Sequence, residues 1–264
     1  MTGPTVELRP TIDRAWLERE AARDPLAHAF ALWDLDHNPN RIRFFSAVEG
    51  ETTLGYLLVW LGHPSATVVH WVGAGAETGL AGMLPPRPLV AIVSNEVREA
   101  VKVARGPARE HPLRGMVRTH EASEAAAEPP REVRRLTRGD VTALAAWARR
   151  QNDPVVADYP FLDPEAEPTW GAFEGRDLVG VVRAEVRLPR LWVLGGIYVH
   201  PSARGRGWGR SLVSAALATG EATGARVALY VREDRTEAVQ LYESLGFRTA
   251  GRRTWLDLGA GLAP

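Results

Sequence analysis

Apolar and polar residues alternate with a period of two through much of the second half of the chain. Thr169–Glu174 and Asp177–Arg187 read as paired strands around a turn at Gly175. Leu191–His200 is a nearly continuous apolar strand, and Arg226–Arg232 is another. Between them the period changes. Trp208, Leu212 and Ala216 fall at i, i+4 and i+8, the spacing of a helix that buries one face, and Gly224 is placed to stop it. A second helix starts at Asp234, a predicted N-cap with Glu237 three residues on. Its buried stripe is Ala238, Leu241, Tyr242 and Leu245, and Gly246 stands where a helix-ending glycine is expected. Phe247–Leu258 closes with a strand, while Arg131–Leu136 and a helix capped by Asp140 and running through Arg149 precede the set.

The first half shows a similar order. A helix over Ile12–Ala22 leads to paired strands at Arg41–Glu49 and Thr53–Leu61. A strand at Thr67–Val72, a helix near Glu77–Met83, a strand at Pro88–Val93 and a helix at Glu96–Arg105 follow. The small, acidic segment Glu121–Pro130 ends in two prolines and reads as a linker. With 264 residues, and roughly 100–200 residues per domain, two domains are expected: 1–120 and 131–264, joined by 121–130. The element order predicts an α/β (α+β) fold, a central mixed sheet flanked by helices.

The chemistry concentrates in Tyr198-Val-His-Pro-Ser-Ala-Arg-Gly-Arg-Gly-Trp-Gly-Arg-Ser-Leu212, where an apolar strand runs into a Gly/Arg turn and then a helix. Such a turn aims several main-chain N–H groups at one spot, and the helix N-terminus adds about half a positive charge there. Arg204, Arg206 and Arg210 add charges that do not titrate away. The spot suits a polyanion on a small ligand, most simply a pyrophosphate.

Arg204-Gly-Arg-Gly-Trp-Gly209 fits R-x-x-G-x-G and, with its Val-His-Pro lead-in, resembles the acyl-CoA loop of the GNAT N-acetyltransferase superfamily. Asp234-Arg-Thr-Glu-Ala-Val-Gln-Leu-Tyr-Glu-Ser-Leu-Gly-Phe247 resembles that family's second motif, a short helix with Ala-x-x-Leu-Tyr that ends in Gly-Phe. The resemblance covers roughly 130–257 and fades over 1–120, where no phosphate loop occurs. It implies a GNAT fold, with the first half a degenerate tandem copy, and direct transfer of an acetyl or other acyl group from acetyl-CoA or another acyl-CoA to a primary amine. The tandem layout also resembles glycine N-acyltransferase-like members, so a longer acyl group or an amino-acid acceptor stays open. The implied cofactor contacts are Ile197, Tyr198 and Val199 along the pantetheine arm, and Arg204, Gly205, Arg206, Gly207, Trp208, Gly209 and Arg210 at the phosphates. Arg235 stands where relatives carry Asn. Tyr242 is the implied catalytic residue, beside the thioester sulfur; a phenol of pKa about 10 is protonated at neutral pH and can donate to a departing thiolate.

Relatives commonly carry a carboxylate on the strand before the loop. Here that strand reads Val193-Leu-Gly-Gly-Ile197, leaving Asp158, Tyr159, Glu185 and His200 as candidate bases. Gly195-Gly196 is read instead as a bulge or as room for the acceptor. The absent carboxylate also motivates an alternative, a non-catalytic acyl-CoA-binding sensor or interaction module on the same fold.

Composition trims the rest. The formal net charge is zero, so no general field favours nucleic acid or membrane. There is no cysteine, hence no disulfide, Cys-ligated zinc or thiol nucleophile. The Asp34-Leu-Asp36-His37 cluster reads as a solvated turn rather than a metal site, and no metal is expected. Without a leader-like N-terminus or a long apolar run, the expectation is a cytoplasmic protein with acyl-CoA and a small amine, amino acid or peptide as partners, a homodimer being left open.

Overall fold

In the computed structural model, residues 6–63, 66–73, 77–86, 88–119, 132–151, 153, 156 and 163–261 are described. The predicted linker at 121–130 lies outside them. The chain divides into two units, one formed by the sequence up to Arg114 together with the segment from Gly251, the other by Gly115–Ala250.

The first unit contains β1 (Val6–Arg9), α1 (Arg14–Arg23), α2 (Ala29–His37), β2 (Ile42–Glu49), β3 (Thr52–Trp60), β4 (Thr67–Val72), α3 (Glu77–Gly82), β5 (Leu89–Val93) and α4 (Arg98–Arg105). Its strands lie in the order β1-β2-β3-β4-β5, antiparallel except for β4 and β5, which run parallel. One sheet face packs Leu57, Val69, Trp71 and Ala91 under α3 and α4, with Leu80 and Val101. The other packs Phe44, Tyr56 and Leu58 under α1 and α2, with Leu17 and Ala31. With both faces covered, β5 reads Leu-Val-Ala-Ile-Val with no polar alternation.

β6 (Arg109–Arg118) carries the chain from the first unit into the second. The second unit holds β7 (Val133–Arg135), α5 (Val141–Gln151), β8 (Thr169–Glu174), β9 (Asp177–Leu188), β10 (Leu191–Val199), α6 (Trp208–Ala222), β11 (Arg226–Arg232) and α7 (Thr236–Ser244). The order is β7-β8-β9-β10-β11-β6, with β10 and β11 parallel. Leu194, Leu212, Val227, Leu229 and Phe247 fill the α6/α7 side; Leu144, Trp147, Val181 and Tyr198 fill the α5 side. This is the α/β arrangement expected, a mixed sheet between helices.

The last strand, β12 (Phe247–Leu258), crosses units. Its end, Thr254–Leu258, pairs antiparallel with Val93–Leu89 of β5, and Leu256 and Leu258 are fully buried in the first unit's core. The sequence shows a strand there; what it pairs with is decided by which edge can satisfy its N–H and C=O groups and cover its leucines.

Local readings shift in three places. Thr137, not Asp140, caps the α5 entry: Asp140 is the third residue of the capping box and accepts from the Thr137 N–H at 2.9 Å. Arg235, not Asp234, is the N-cap of α7, and the Asp234 carboxylate pairs with Arg232 at 2.5 Å. The Asp34–His37 segment is the last turn of α2 rather than a free turn. Asp34 is buried and accepts from Asn38 at 2.8 Å, Asp36 binds Arg14 at 2.6 Å, and His37 stacks on Trp33. No described helix is long and apolar enough to cross a membrane.

Candidate functional site

The parallel pairing of β10 with β11 covers only Leu191–Leu194 against Arg226–Leu229. Beyond it, β10 stays paired with β9 alone, through a bulge between Gly195 and Tyr198 in which Gly196 adopts φ +55°. Of the predicted pantetheine residues, Ile197 and Val199 turn their side chains toward the α6/α7 core. Tyr198 turns to the α5 face, edge-on to Trp147 at 5.7 Å. Beyond Leu194, the β10 main chain on its β11 side is therefore outside that parallel ladder.

At the end of β10 the His200 ring accepts from the Ser202 N–H and starts one 3₁₀ turn, Pro201–Ala203. Gly205 (φ +71°) and Gly207 (φ +83°) then adopt conformations that a β-carbon disfavours. Gly207 is the N-cap of the 15-residue α6 and brings no capping side chain, so the first amides of α6 point outward without a side-chain acceptor. Gly209 serves differently: a β-carbon there would stand 3.3 Å from Leu241 of α7, so its absence sets the close approach of the two helices.

The three arginines are held in place by the protein. Arg204 Nε donates to the Val199 carbonyl at 3.0 Å, with its guanidinium 5.8 Å from the Tyr198 ring centre. Arg206 forms a two-pronged ion pair with Glu174 at the end of β8, and Arg210 donates to Ser244 Oγ at the end of α7 at 2.6 Å. Arg235 is exposed at the α7 N-terminus. Trp208 is partly buried against the core.

Tyr242 is buried on α7, edge-on to Phe247 at 6.0 Å. Burial pushes its phenol well above the ordinary value. The hydroxyl therefore stays protonated at any ordinary pH.

Of the candidate bases, Glu185 has the most specific position. It is the extra residue of a second β9 bulge, opposite the step from Val193 to Leu194. Its carboxylate lies where a side chain at position 195 would be: a β-carbon built on Gly195 would sit 2.1 Å from the Glu185 carboxyl carbon. Gly195 thus makes room for a carboxylate delivered from the neighbouring strand. Arg183 holds that carboxylate at 2.8 Å. Asp158 and Tyr159 lie outside the described residues. His200 is committed to its turn, also meeting Ser202 Oγ at 2.7 Å. Glu174, Ser244 and Arg183 were not singled out from sequence. Only Arg183 left a trace, sharing the strand period of Glu185.

Residues 132–247 match the Acetyltransferase (GNAT) family. Solved structures are similar over nearly the whole chain. A Drosophila protein is 17% identical with TM-score 0.67, covering 96% of this chain and 99% of that one. A GCN5-related N-acetyltransferase from Sphaerobacter thermophilus is 17% identical with TM-score 0.64, at 95% and 94% coverage. A tandem GNAT protein from the clavulanic acid biosynthesis pathway is 15% identical with TM-score 0.55, at 97% and 99% coverage. No curated protein matches the chain.

Proposed function

We propose that the GNAT acetyltransferase domain over 132–247 makes this chain an N-acyltransferase, moving an acetyl or other acyl group directly from acyl-CoA to the primary amine of a small molecule, amino acid or peptide. The observation that carries the reading is the α6 N-terminus. Amides without a side-chain cap, glycines at positive φ and an arginine-braced turn converge beside the open end of β10. The main chain of Gly205–Arg210 binds the coenzyme pyrophosphate, and the main chain of Ile197–Val199 takes the amide-bearing arm as a sheet edge takes a strand. Because Arg206 and Arg210 are tied to Glu174 and Ser244, they brace the turn and add field rather than reach freely.

In the reaction the amine nitrogen attacks the thioester carbon, and the carbon–sulfur bond breaks. Glu185, held in place by Arg183, takes the proton the amine loses. Tyr242 donates a hydrogen bond to the departing thiolate. Its raised pKa favours such donation over full ionisation, so the proton that ends on sulfur comes from the amine by way of Glu185 and solvent. No metal is needed for this step.

A panel of amines, amino acids, peptides and aminoglycosides, each supplied with acetyl-CoA and read by released thiol, tests the reading. The chain has no cysteine, so the background is low. Turnover on one class supports it. Coenzyme binding with no turnover on any acceptor favours the sensor reading, which rests on β10 itself carrying no carboxylate.

A further inference from the structure

The first unit has a built feature that acyl transfer does not use. On the sheet face beneath α1 and α2, the strand register lines up Phe44, Leu58, His70, Ile92 and Trp255 in one row across β2, β3, β4, β5 and β12. The row begins buried. Phe44 and Leu58 lie under the helices, but His70, Ile92 and Trp255 keep solvent-accessible surface, so the helical cover ends part-way along. Phe30 of α2 stacks on His70 at 4.7 Å and forms a wall of the resulting ledge.

The next row toward the C-terminal ends of β4 and β5 is polar. It runs through Tyr56 and Val72 to Ser94 and Arg253. Arg253 donates to Ser94 Oγ at 2.5 Å, and Ser94 is itself fixed by the Gly73 N–H and the Trp71 carbonyl. His28, buried behind this row, meets the Tyr56 hydroxyl at 3.2 Å. Among the described residues Arg253 pairs with no carboxylate, although the residue is only partly exposed. A half-buried, oriented guanidinium without a counter-charge is a receptor for an anion.

We infer that the first unit binds a small organic monocarboxylate with a flat apolar body, its carboxylate on Arg253, which Ser94 orients, and its body on the ledge of His70, Ile92 and Trp255. The two histidines suit this arrangement. Burial, with the Arg253 charge adding to it, lowers His28 to about 4 and His70 to about 3, so both are neutral near pH 7 and leave Arg253 as the cation of the site. The acidic residues felt by His28, Asp24 and Glu20, belong to α1 and its end. Asp257, farther along β12, is occupied by the Ala260 and Gly261 amides.

The test uses the full chain, isotopically labelled in histidine, and benzoate as the probe, with no coenzyme present. Benzoate should saturate and shift the His70 and His28 ring resonances while leaving His200, in the other unit, unmoved. Arg253→Gln should weaken that binding at least ~10-fold, and Arg253→Lys should recover part of it. Ile92→Phe, which fills the ledge and keeps the charge, should also abolish the shifts. The inference fails if benzoate at tens of millimolar moves neither ring, or if Arg253→Gln binds as the parent does. It fails equally if inorganic phosphate binds as well as benzoate, since the apolar ledge then has no part. These readouts do not depend on acyl transfer, so a failure here leaves that reading standing, and the reverse holds.

Discussion

The two parallel strand pairs are the sharpest contrast in the molecule. In the second unit β10 leaves β11 after Leu194, bulges at Gly196 and runs into a turn braced by arginines. In the first unit β4 and β5 stay in register from Thr67–Leu89 through Trp71–Val93, and the Ser94 N–H closes the end on the Trp71 carbonyl at 3.0 Å. The strand order is the same, yet one pair opens and the other is sealed. The helix after the opened pair's second strand carries Tyr242; its counterpart α4 reads Arg98-Glu-Ala-Val-Lys-Val-Ala-Arg105, with no tyrosine. A topology can therefore be repeated while, among the described residues, a strand end outside its parallel ladder and a buried tyrosine on the last helix distinguish the second unit.

The largest effect is expected at Tyr242. Tyr242→Phe, which removes the hydrogen bond to the departing thiolate, should lower turnover at least ~10-fold and leave coenzyme affinity unchanged by calorimetry. Val103→Ser on the exposed face of α4 should leave turnover alone. If the α4 change slows the reaction, the contrast between the units is wrong.

The turn comes next. Gly207→Val forces a β-branched residue to φ +83°, a strain of about 1–3 kcal/mol, and should weaken acyl-CoA binding roughly 10- to 100-fold. Gly73→Val meets the same φ, and its β-carbon would stand 2.6 Å from the Leu54 carbonyl. It should lower the melting temperature while sparing coenzyme affinity. A Gly73 variant that loses coenzyme would tie the sealed pair to the site.

A smaller effect separates the units by pH. His28 titrates near 6.5 when unfolded and about 4 when folded, so between these values the unfolded chain holds more protons. Stability is full above pH 6.5 and falls as pH drops toward 4, by about 2–3 kcal/mol from this residue alone at pH 4.5. His70, about 3 when folded, acts in the same direction. Urea melts at pH 7 and pH 4.5 should show the first unit weakening first, and His28→Asn should flatten the dependence. The smallest effect is at α5. Asp140 is held below the usual carboxylate range by Arg134 first, and by the Thr137 bonds. Asp140→Asn should cost under about 1 kcal/mol at pH 7, because Arg134 is half exposed and water screens the pair. A loss above 2 kcal/mol would show the capping box to matter more than its exposure suggests.

Strands β8 through β12 were legible almost residue by residue, since period-two alternation and glycine punctuation both mark them. β1, α2 and β6 were not. β6 mixes Arg109, Glu110, Pro112 and Arg114 into its run, and α2 ends in the polar cluster that looked like a turn. The Gly/Arg turn before α6 was readable because its glycines and arginines are contiguous. Glu185 was readable only as one carboxylate among several, since its distinction is to fill the space above Gly195 on another strand.

The sequence alone determined what depends on neighbours in the chain: the element types, the glycines at positive φ before α6, and the apolar stripe that buries Tyr242. Tertiary structure decided what depends on which strand lies beside which. It sent Thr254–Leu258 to β5, placed Glu185 over Gly195, and brought Arg253 to Ser94. Local propensity acts through a residue's own backbone and its near neighbours. Pairing is settled by the edge that satisfies the hydrogen bonds and buries the side chains, and no segment carries that edge within itself.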